Sequence, residues 1–358
     1  MKIFAHLLSS SRVAVLLVLT TPLTFAQKII TFDFPDGFAT TPTDISPSGR
    51  VVGYYGDQKA IAVRGFVRNA NGKFTSFDAP NSTYTLPNRV NALGQIVGFF
   101  GQYQDLAFMQ LGFLRNPDGT TATFNGGAGT VTSAEDINAW GQVVGYWVDF
   151  GDVSHGFLRN PDGTLTSFDA GAGGGFGTIA LSINVLGQST GSFEDGTGVG
   201  RRAFLRHADG TIETFDVPNA TSTAGTAINQ RGWILGGYTD ATNHGGAFLR
   251  RPDGTIETFD VPGATETSPV AINARGQIAG FYADASSALH GFLREADGKI
   301  KTFDVPNATK TLPTGMNARG EITGVFYDSN GDQHGFVTDR GIGELIDDFD
   351  PRDRRGPK

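Results

Sequence analysis

The chain repeats itself about every 44 residues, and that period limits its fold more than any other feature. Gly291-Phe292-Leu293-Arg294 restates Gly246-Ala247-Phe248-Leu249-Arg250. Alignment on that Phe gives seven copies, at Phe66, Phe113, Phe157, Phe204, Phe248, Phe292 and Phe336. A Phe-Asp pair recurs at Phe32, Phe77, Phe168, Phe215, Phe259, Phe303 and Phe349, and copy two reads Phe124-Asn125. A third anchor is apolar-Asn-x-x-Gly, as in Ile137-Asn138-Ala139-Trp140-Gly141 and Ile272-Asn273-Ala274-Arg275-Gly276. The first copy, Ile45-Ser46-Pro47-Ser48-Gly49, replaces the Asn. A period of this length belongs to supersecondary units that bury their apolar faces against copies of themselves.

The anchors account for an unusual composition: 50 Gly, 28 Phe and no Cys in 358 residues. Gly or Pro interrupts every window of helical length, so long helices are excluded. Each copy reads as four short strands, in the sixth roughly 269–273, 277–283, 290–295 and 299–305. The expected fold is all-β, a seven-bladed β-propeller of four-stranded blades. A β-solenoid is the alternative, although its coils are usually shorter. With no Cys, the ring must close by strand pairing. Ile29-Ile30-Thr31-Phe32 reads as a fourth strand with no first, second or third before it. Residues 29–34 are therefore expected to complete the seventh blade, with a strand near 344–349 as an addition or competitor.

Local signals fix further expectations. Asp162-Gly163, Asp209-Gly210, Asp253-Gly254 and Asp297-Gly298 read as two-residue type I′ turns between third and fourth strands. That turn sets Phe157 opposite Phe168, an offset that recurs in six copies, and the Phe ladder reads as core between blades. Each second strand carries a Gly (Gly53, Gly98, Gly145, Gly191, Gly236, Gly280, Gly324), which marks close approach of another backbone.

Residues 1–26 read as a signal peptide: Lys2 and Arg12 precede the apolar run 13–19, and Thr24-Phe25-Ala26 resembles a cleavage site. An N-terminal anchor is the alternative, but the run is short for a membrane span. The expected organisation is a leader at 1–26, a propeller at 27–350 and a polar tail at 351–358. The mature chain is expected to be secreted, extracellular or periplasmic, monomeric and without a membrane span. Net charge is −8, and the leader holds no acidic residue, so its removal deepens the acidity. Such a chain repels phosphate backbones, which argues against nucleic acid as a partner.

Loops between second and third strands, and links to the next blade, are long and share one face; the other face has tight turns. Variable loops favour the long-loop face for any ligand. There an Asp follows the second-strand Gly by four residues, at Asp57, Asp149, Asp195, Asp240, Asp284 and Asp328. His155, His244, His290 and His334 begin third strands. The candidate ligand-binding set is thus Asp149, His155, Asp240, His244, Asp284, His290, Asp328 and His334, each His close to its blade's Asp. Repetition favours loop-ordering hydrogen bonds over metal binding or catalysis. Asp328-Ser329-Asn330-Gly331-Asp332 opens like a calcium loop, but Asp339 stands where the closing Glu belongs, so a turn is the better reading. Asn81, Asn219 and Asn307 are sequons that matter only in a glycosylating host. No nucleophile elbow, zinc-protease helix, phosphate loop or cofactor motif appears, so no catalytic residue, metal or cofactor is assigned.

His155-Gly156-Phe157, His290-Gly291-Phe292 and His334-Gly335-Phe336, with Asn-x-x-Gly-Gln-x-x-Gly at Asn91 to Gly98 and Asn273 to Gly280, resemble the probable extracellular repeat of the bacterial HAF family. Most copies differ in having Gly for the family's Ala. The resemblance implies secreted bacterial repeat proteins with no assigned catalytic residues. The expected role is a binding or interaction module for a glycan, a surface component or a protein. An extracellular lyase or hydrolase is the alternative, and a structural envelope protein a further one. One asymmetric acid–base pocket would favour the enzyme.

Overall fold

The computed structural model describes residues 29–57, 62–104, 107–171, 177–194, 196 and 200–339. The leader, the tail, Asp195 and the strand expected near 344–349 lie outside the described residues. All regular structure among them is β. No helix among them is long and apolar enough to cross a membrane.

The strands pair as antiparallel sets of four. The first set runs Gly37–Ile45, Val51–Asp57, Ala62–Arg68 and Phe74–Phe77. The sixth runs Glu266–Ile272, Ile278–Ala283, Leu289–Arg294 and Ile300–Phe303, within a few residues of the expected bounds. Among the described residues there are seven such sets. The last takes Lys310–Met316, Ile322–Tyr327 and Gln333–Thr338 from the C-terminal end and its fourth strand, Ile29–Phe32, from the N-terminal end. The register is Ile29↔Thr338 to Phe32↔Gly335, so the pairing expected of the N-terminal strand is present. Phe336 to Phe349 is 13 residues against the usual 11, and in the structure the Phe that partners the seventh copy is Phe32 instead.

Each first strand carries a bulge, for example between Pro87 and Arg89, Ala134 and Asp136, and Gly225 and Ala227. The bulge pushes a first-strand carbonyl onto the second-strand Gly. A Cβ would stand 2.1 Å from Leu86 O at Gly98 and 2.0 Å from Ser133 O at Gly145. The close approach expected there is real, and it involves backbone of the same set.

The Phe core follows a different geometry from the one expected. Phe157 stands opposite Ser167, and Phe168 opposite Gly156. The cause lies in the turn. Gly163 N–H donates to Asn160 O and Asn160 N–H to Thr164 O, and only Gly163 has positive φ, at 91°. This is a type I turn with a left-handed Gly, one residue longer than a type I′ hairpin. The extra residue shifts the register by one and turns Phe168 to the other face. Its ring then lies over Gly156 and meets the next set edge-on: Phe168–Phe204 centroids are 5.9 Å apart. The same contact joins Phe77 to Phe113, Phe124 to Phe157, Phe215 to Phe248, Phe259 to Phe292 and Phe303 to Phe336. The Phe rings are indeed core between sets, with the third-strand Phe fully buried in every copy. The Arg that closes Gly-Phe-Leu-Arg stacks its guanidinium on the same ring, as Arg206 does on Phe168 at 4.9 Å. Arg68 stacks on Phe32 at 4.7 Å, so this contact recurs between the first and last sets.

Candidate functional site

The Asp–His loops, candidates for ligand contact but expected above all to order themselves, are internally satisfied. Asp149 Oδ1 accepts from Gly151 N at 2.7 Å and Val153 N at 2.9 Å. Asp240 accepts from Thr242 N and His244 N, Asp284 from Ser286 N and Ala288 N, and Asp328 from Asn330 N and Asp332 N. Each Asp shapes its own loop. Hydrogen bonding from Ser286 Oγ and the Ala288 N–H helps hold the Asp284 carboxyl down to about 2.

The His partners include a residue that sequence reasoning missed, the Asp of the Phe-Asp pair. His155 Nδ1 is 2.9 Å from Asp169, with Asp149 at 3.5 Å from Nε2. His290 lies 2.9 Å from Asp304 and 3.4 Å from Asp284. His334 lies 3.0 Å from Asp33 and 3.8 Å from Asp328. His244 departs from the expectation: it meets Asp260 at 3.3 Å through its side chain, and it stands two residues earlier relative to the third-strand Phe than the other three, just ahead of strand Gly245–Arg250. Arg64 takes the slot in the first set, with Asp78 at 2.7 Å, and Arg202 in the fourth, with Asp216 at 2.5 Å. In the second set the slot holds Leu111, and the facing motif is Phe124-Asn125. A cation on one strand thus goes with a carboxylate on the other, and its loss with an amide. Among the described residues no three His, Asp or Glu side chains are grouped so as to hold a metal ion.

A second place breaks the repeat. The first strands surround a cavity of about 260 Å³. The residue two before each signature Asn lines it. Four sets supply Asp44, Arg89, Asp136 and Ser182; the other three supply Ala227, Ala271 and Gly315. The polar wall is cross-linked from set to set. Asp44 Oδ2 accepts from Val90 N at 2.9 Å. Asp136 Oδ2 accepts from Ser182 Oγ at 2.8 Å and Ile183 N at 2.9 Å. Ser182 Oγ accepts from Ile228 N, and Arg89 donates to Thr43 O. Burial pushes the Asp44 carboxyl up to about 6, against the pull of Arg89 and two N–H donors. Burial also raises Asp136 and the neighbouring Glu135, again opposed by Arg89. Asp44 and Asp136 each keep some surface toward the cavity.

The cavity mouth is built from the short turns, and the Asn explains them. Asn229 Oδ1 accepts from Arg231 N and Trp233 N, while its Nδ2 donates to Asn273 O of the next set. Asn91, Asn138 and Asn184 hand on the same bond, and Asn317 passes it to Ser46 O. The residue two after the Asn is exposed in each of these turns. It is Leu93, Trp140 and Leu186 in three successive sets, 64%, 70% and 58% exposed. It is Arg231, Arg275 and Arg319 in the next three, all exposed, and Ser48 in the first. Trp140 is held in place by its indole N–H, which donates to Val185 O at 3.0 Å. The long-loop face is the expected ligand face, and residues that differ from set to set in chemical kind also occupy the cavity wall and these turn tips. The signal was legible as variation at two fixed offsets from the Asn.

No protein-family profile matches the sequence, and no curated protein matches it. Solved structures do match the fold. The β-propeller domain of the Trilobed protease from Pyrococcus furiosus, described as having an open velcro topology, aligns with TM-score 0.60 at 10% identity, over 84% of this chain and 96% of that one. The acylaminoacyl peptidase of Pyrococcus horikoshii aligns at 0.58 and 11%, over 86% of this chain and 52% of that one. The BP39L lectin of Burkholderia pseudomallei aligns at 0.52 and 11%, over 85% and 97%. At such identities the likeness is one of fold, and together with the strand pairings it shows that this chain is an all-β protein of the β-propeller kind.

Proposed function

We propose that this chain is an exported repeat protein of the HAF type, a seven-bladed propeller closed through its N-terminal strand, and a binding module that works through its short-turn face. The closure is supported by the pairing of Ile29–Phe32 with Gln333–Thr338 and by the Arg68–Phe32 and Asn317–Ser46 contacts. Export rests on the leader-like residues 1–26. The binding role is carried by one observation, the mouth residues. One fixed turn position, used in every repeat, bears Leu93, Trp140 and Leu186 on one arc and three Arg on the next. Exposed apolar clusters of this kind mark interaction surfaces, and Trp and Arg are over-represented at binding hot spots. On an acidic chain the Arg arc selects an acidic partner.

The enzyme reading has the cavity carboxylates in its favour. They are, however, tied to backbone N–H groups of the next set, and no imidazole lines the cavity with them. Such groups hold a ligand better than they shuttle protons. The test is a binding screen of the mature chain against envelope proteins and acidic polymers. Each ligand found is re-measured with Trp140→Asp and, on the other face, Phe150→Asp. Loss with Trp140→Asp alone is expected. Loss with Phe150→Asp alone would return the site to the long-loop face.

A further inference from the structure

The fifth set leaves a gap where other sets place an aromatic ring. In its strands Ala220–Ile228, Ile234–Asp240 and Gly245–Arg250, the residues Ala224, Gly237 and Ala247 stand opposite one another. Opposed residues of paired strands share a face. This face looks at the sixth set, because Phe259, opposite Ala247, meets Phe292 there. The counterparts of Gly237 are Tyr54, Phe99, Tyr146 and Phe281 in four sets, and Ser192 and Val325 in two. In the second set Phe99 meets Tyr84 edge-on at 6.2 Å, so two rings occupy the face; the fifth set has Gly237 and Ser222 in those places. A Cβ at Gly237 would find one atom within 4 Å, Gly246 O at 3.8 Å. Gly245, on the same face, stands where the sixth set has Leu289 and the first Val63.

The missing side chains leave a cleft of about 290 Å³ between the fifth and sixth sets, close to the roughly 300 Å³ at which small-ligand pockets begin. Thr239, Gly245 and Glu266 line it, so it lies at the long-loop end of these strands, while Ala224 and Pro269 give it an apolar wall. Among the described residues that line it, Glu266 alone is charged. With no side chain at Gly245, Glu266 lies over that position: a Cβ there would be 3.1 Å from Glu266 Cγ. Ser268 Oγ donates to Glu266 Oε1 at 3.0 Å and orients it. We infer that this cleft binds a small aryl ammonium compound, whose ring takes the place that Tyr or Phe fills in four other sets and whose ammonium meets Glu266. The site is separate from the short-turn face and does not depend on it.

Three probes separate the parts. The 2-phenylethylammonium ion carries a ring and a positive charge, butylammonium only the charge, and 3-phenylpropionate a ring with the opposite charge. Calorimetric titration of the purified chain should find 2-phenylethylammonium tightest, and each of the others weaker by about tenfold or more. Gly237→Phe installs the residue of the sixth set. It should abolish binding while Tm stays level or rises, because the new ring enters open space. Should that variant melt early, Gly245→Leu, again the residue of the sixth set, is an independent plug and should also abolish binding. Glu266→Gln should bring the two ring probes to within about threefold of each other. No binding at about 10 mM 2-phenylethylammonium, equal affinity for butylammonium, or binding that survives a folded plug variant would overturn the ring site. An unchanged preference in Glu266→Gln would overturn the assignment of the ammonium to Glu266.

Discussion

Replacing Asp44 by Asn should make the protein more stable at neutral pH. Burial lifts this carboxyl from 3.8 to about 6, although Arg89 and the Val90 and Ile45 N–H groups pull the other way. The folded state therefore holds the proton more tightly than the unfolded chain. Below about pH 4 the residue is protonated in both states and costs nothing. Above pH 6 it is ionised in both, and the fold carries the penalty of an ionised buried group. Stability falls between those limits, and each tenfold gain in proton affinity on folding corresponds to ~1.4 kcal/mol. A proton held roughly a hundredfold more tightly gives a ceiling of about 3 kcal/mol, lowered by water in the cavity. Asn carries no charge and keeps an acceptor for Val90 N–H. Urea midpoints of parent and variant should coincide near pH 4, with the variant ahead at pH 8 by about 1–3 kcal/mol. A variant less stable than its parent at pH 8, with unchanged m-value, would refute the reasoning: the attraction to Arg89 would then outweigh the burial.

Three other perturbations test the architecture. Deleting residues 29–35 should lower Tm by many degrees, since it exposes the Gln333–Thr338 edge and removes the ring beneath Arg68; an unchanged Tm would break the closure scheme. Gly98→Ala should cost at least about 2 kcal/mol, because its Cβ meets backbone oxygen, whereas Gly291→Ala should cost less than about 1 kcal/mol, because it meets only the Phe303 ring and Ala203 and Ala247 already fill that slot. Chemical denaturation ranks the two. His290 is raised: burial opposes its charge, but Asp304 and Asp284 outweigh it. His290→Gln should therefore destabilise below about pH 6.5, and the difference should fade as pH rises through the folded pKa, read from paired melts at pH 5.5 and 8.5.

Much of the fold was legible because each anchor has one physical job. Gly98 sits under a bulged carbonyl, Phe157 fills the gap between sets, and Asn229 ties a turn and its neighbour. The register of the outer hairpin was not legible. Asp-Gly serves a type I′ turn and a type I turn with a left-handed Gly equally well, and the choice moves Phe168 across the sheet. The cavity residues were hidden for a related reason. The bulge before Asp44, Arg89 and Asp136 breaks the two-residue alternation, so sequence spacing alone does not point them inward. The repeated Asp and His drew attention because they recur. The positions that also set one four-stranded set apart from the next, and that went unremarked, are Asp44, Arg89, Asp136, Ser182 and the turn-tip residues Leu93, Trp140 and Leu186.

The strand Ile29–Phe32 has a consequence for how the protein folds. His334 and its partner Asp33 stand 301 residues apart in the chain, so their pairing is the longest-range contact of the seventh set. Loop-closure entropy makes such a contact slow, and six sets can assemble while the seventh waits. During that wait, the Gln333–Thr338 edge is open to the same strand of another molecule. At high concentration Ile29–Phe32 of one molecule would pair with that edge of another, and an intramolecular pairing would become a strand-exchanged dimer.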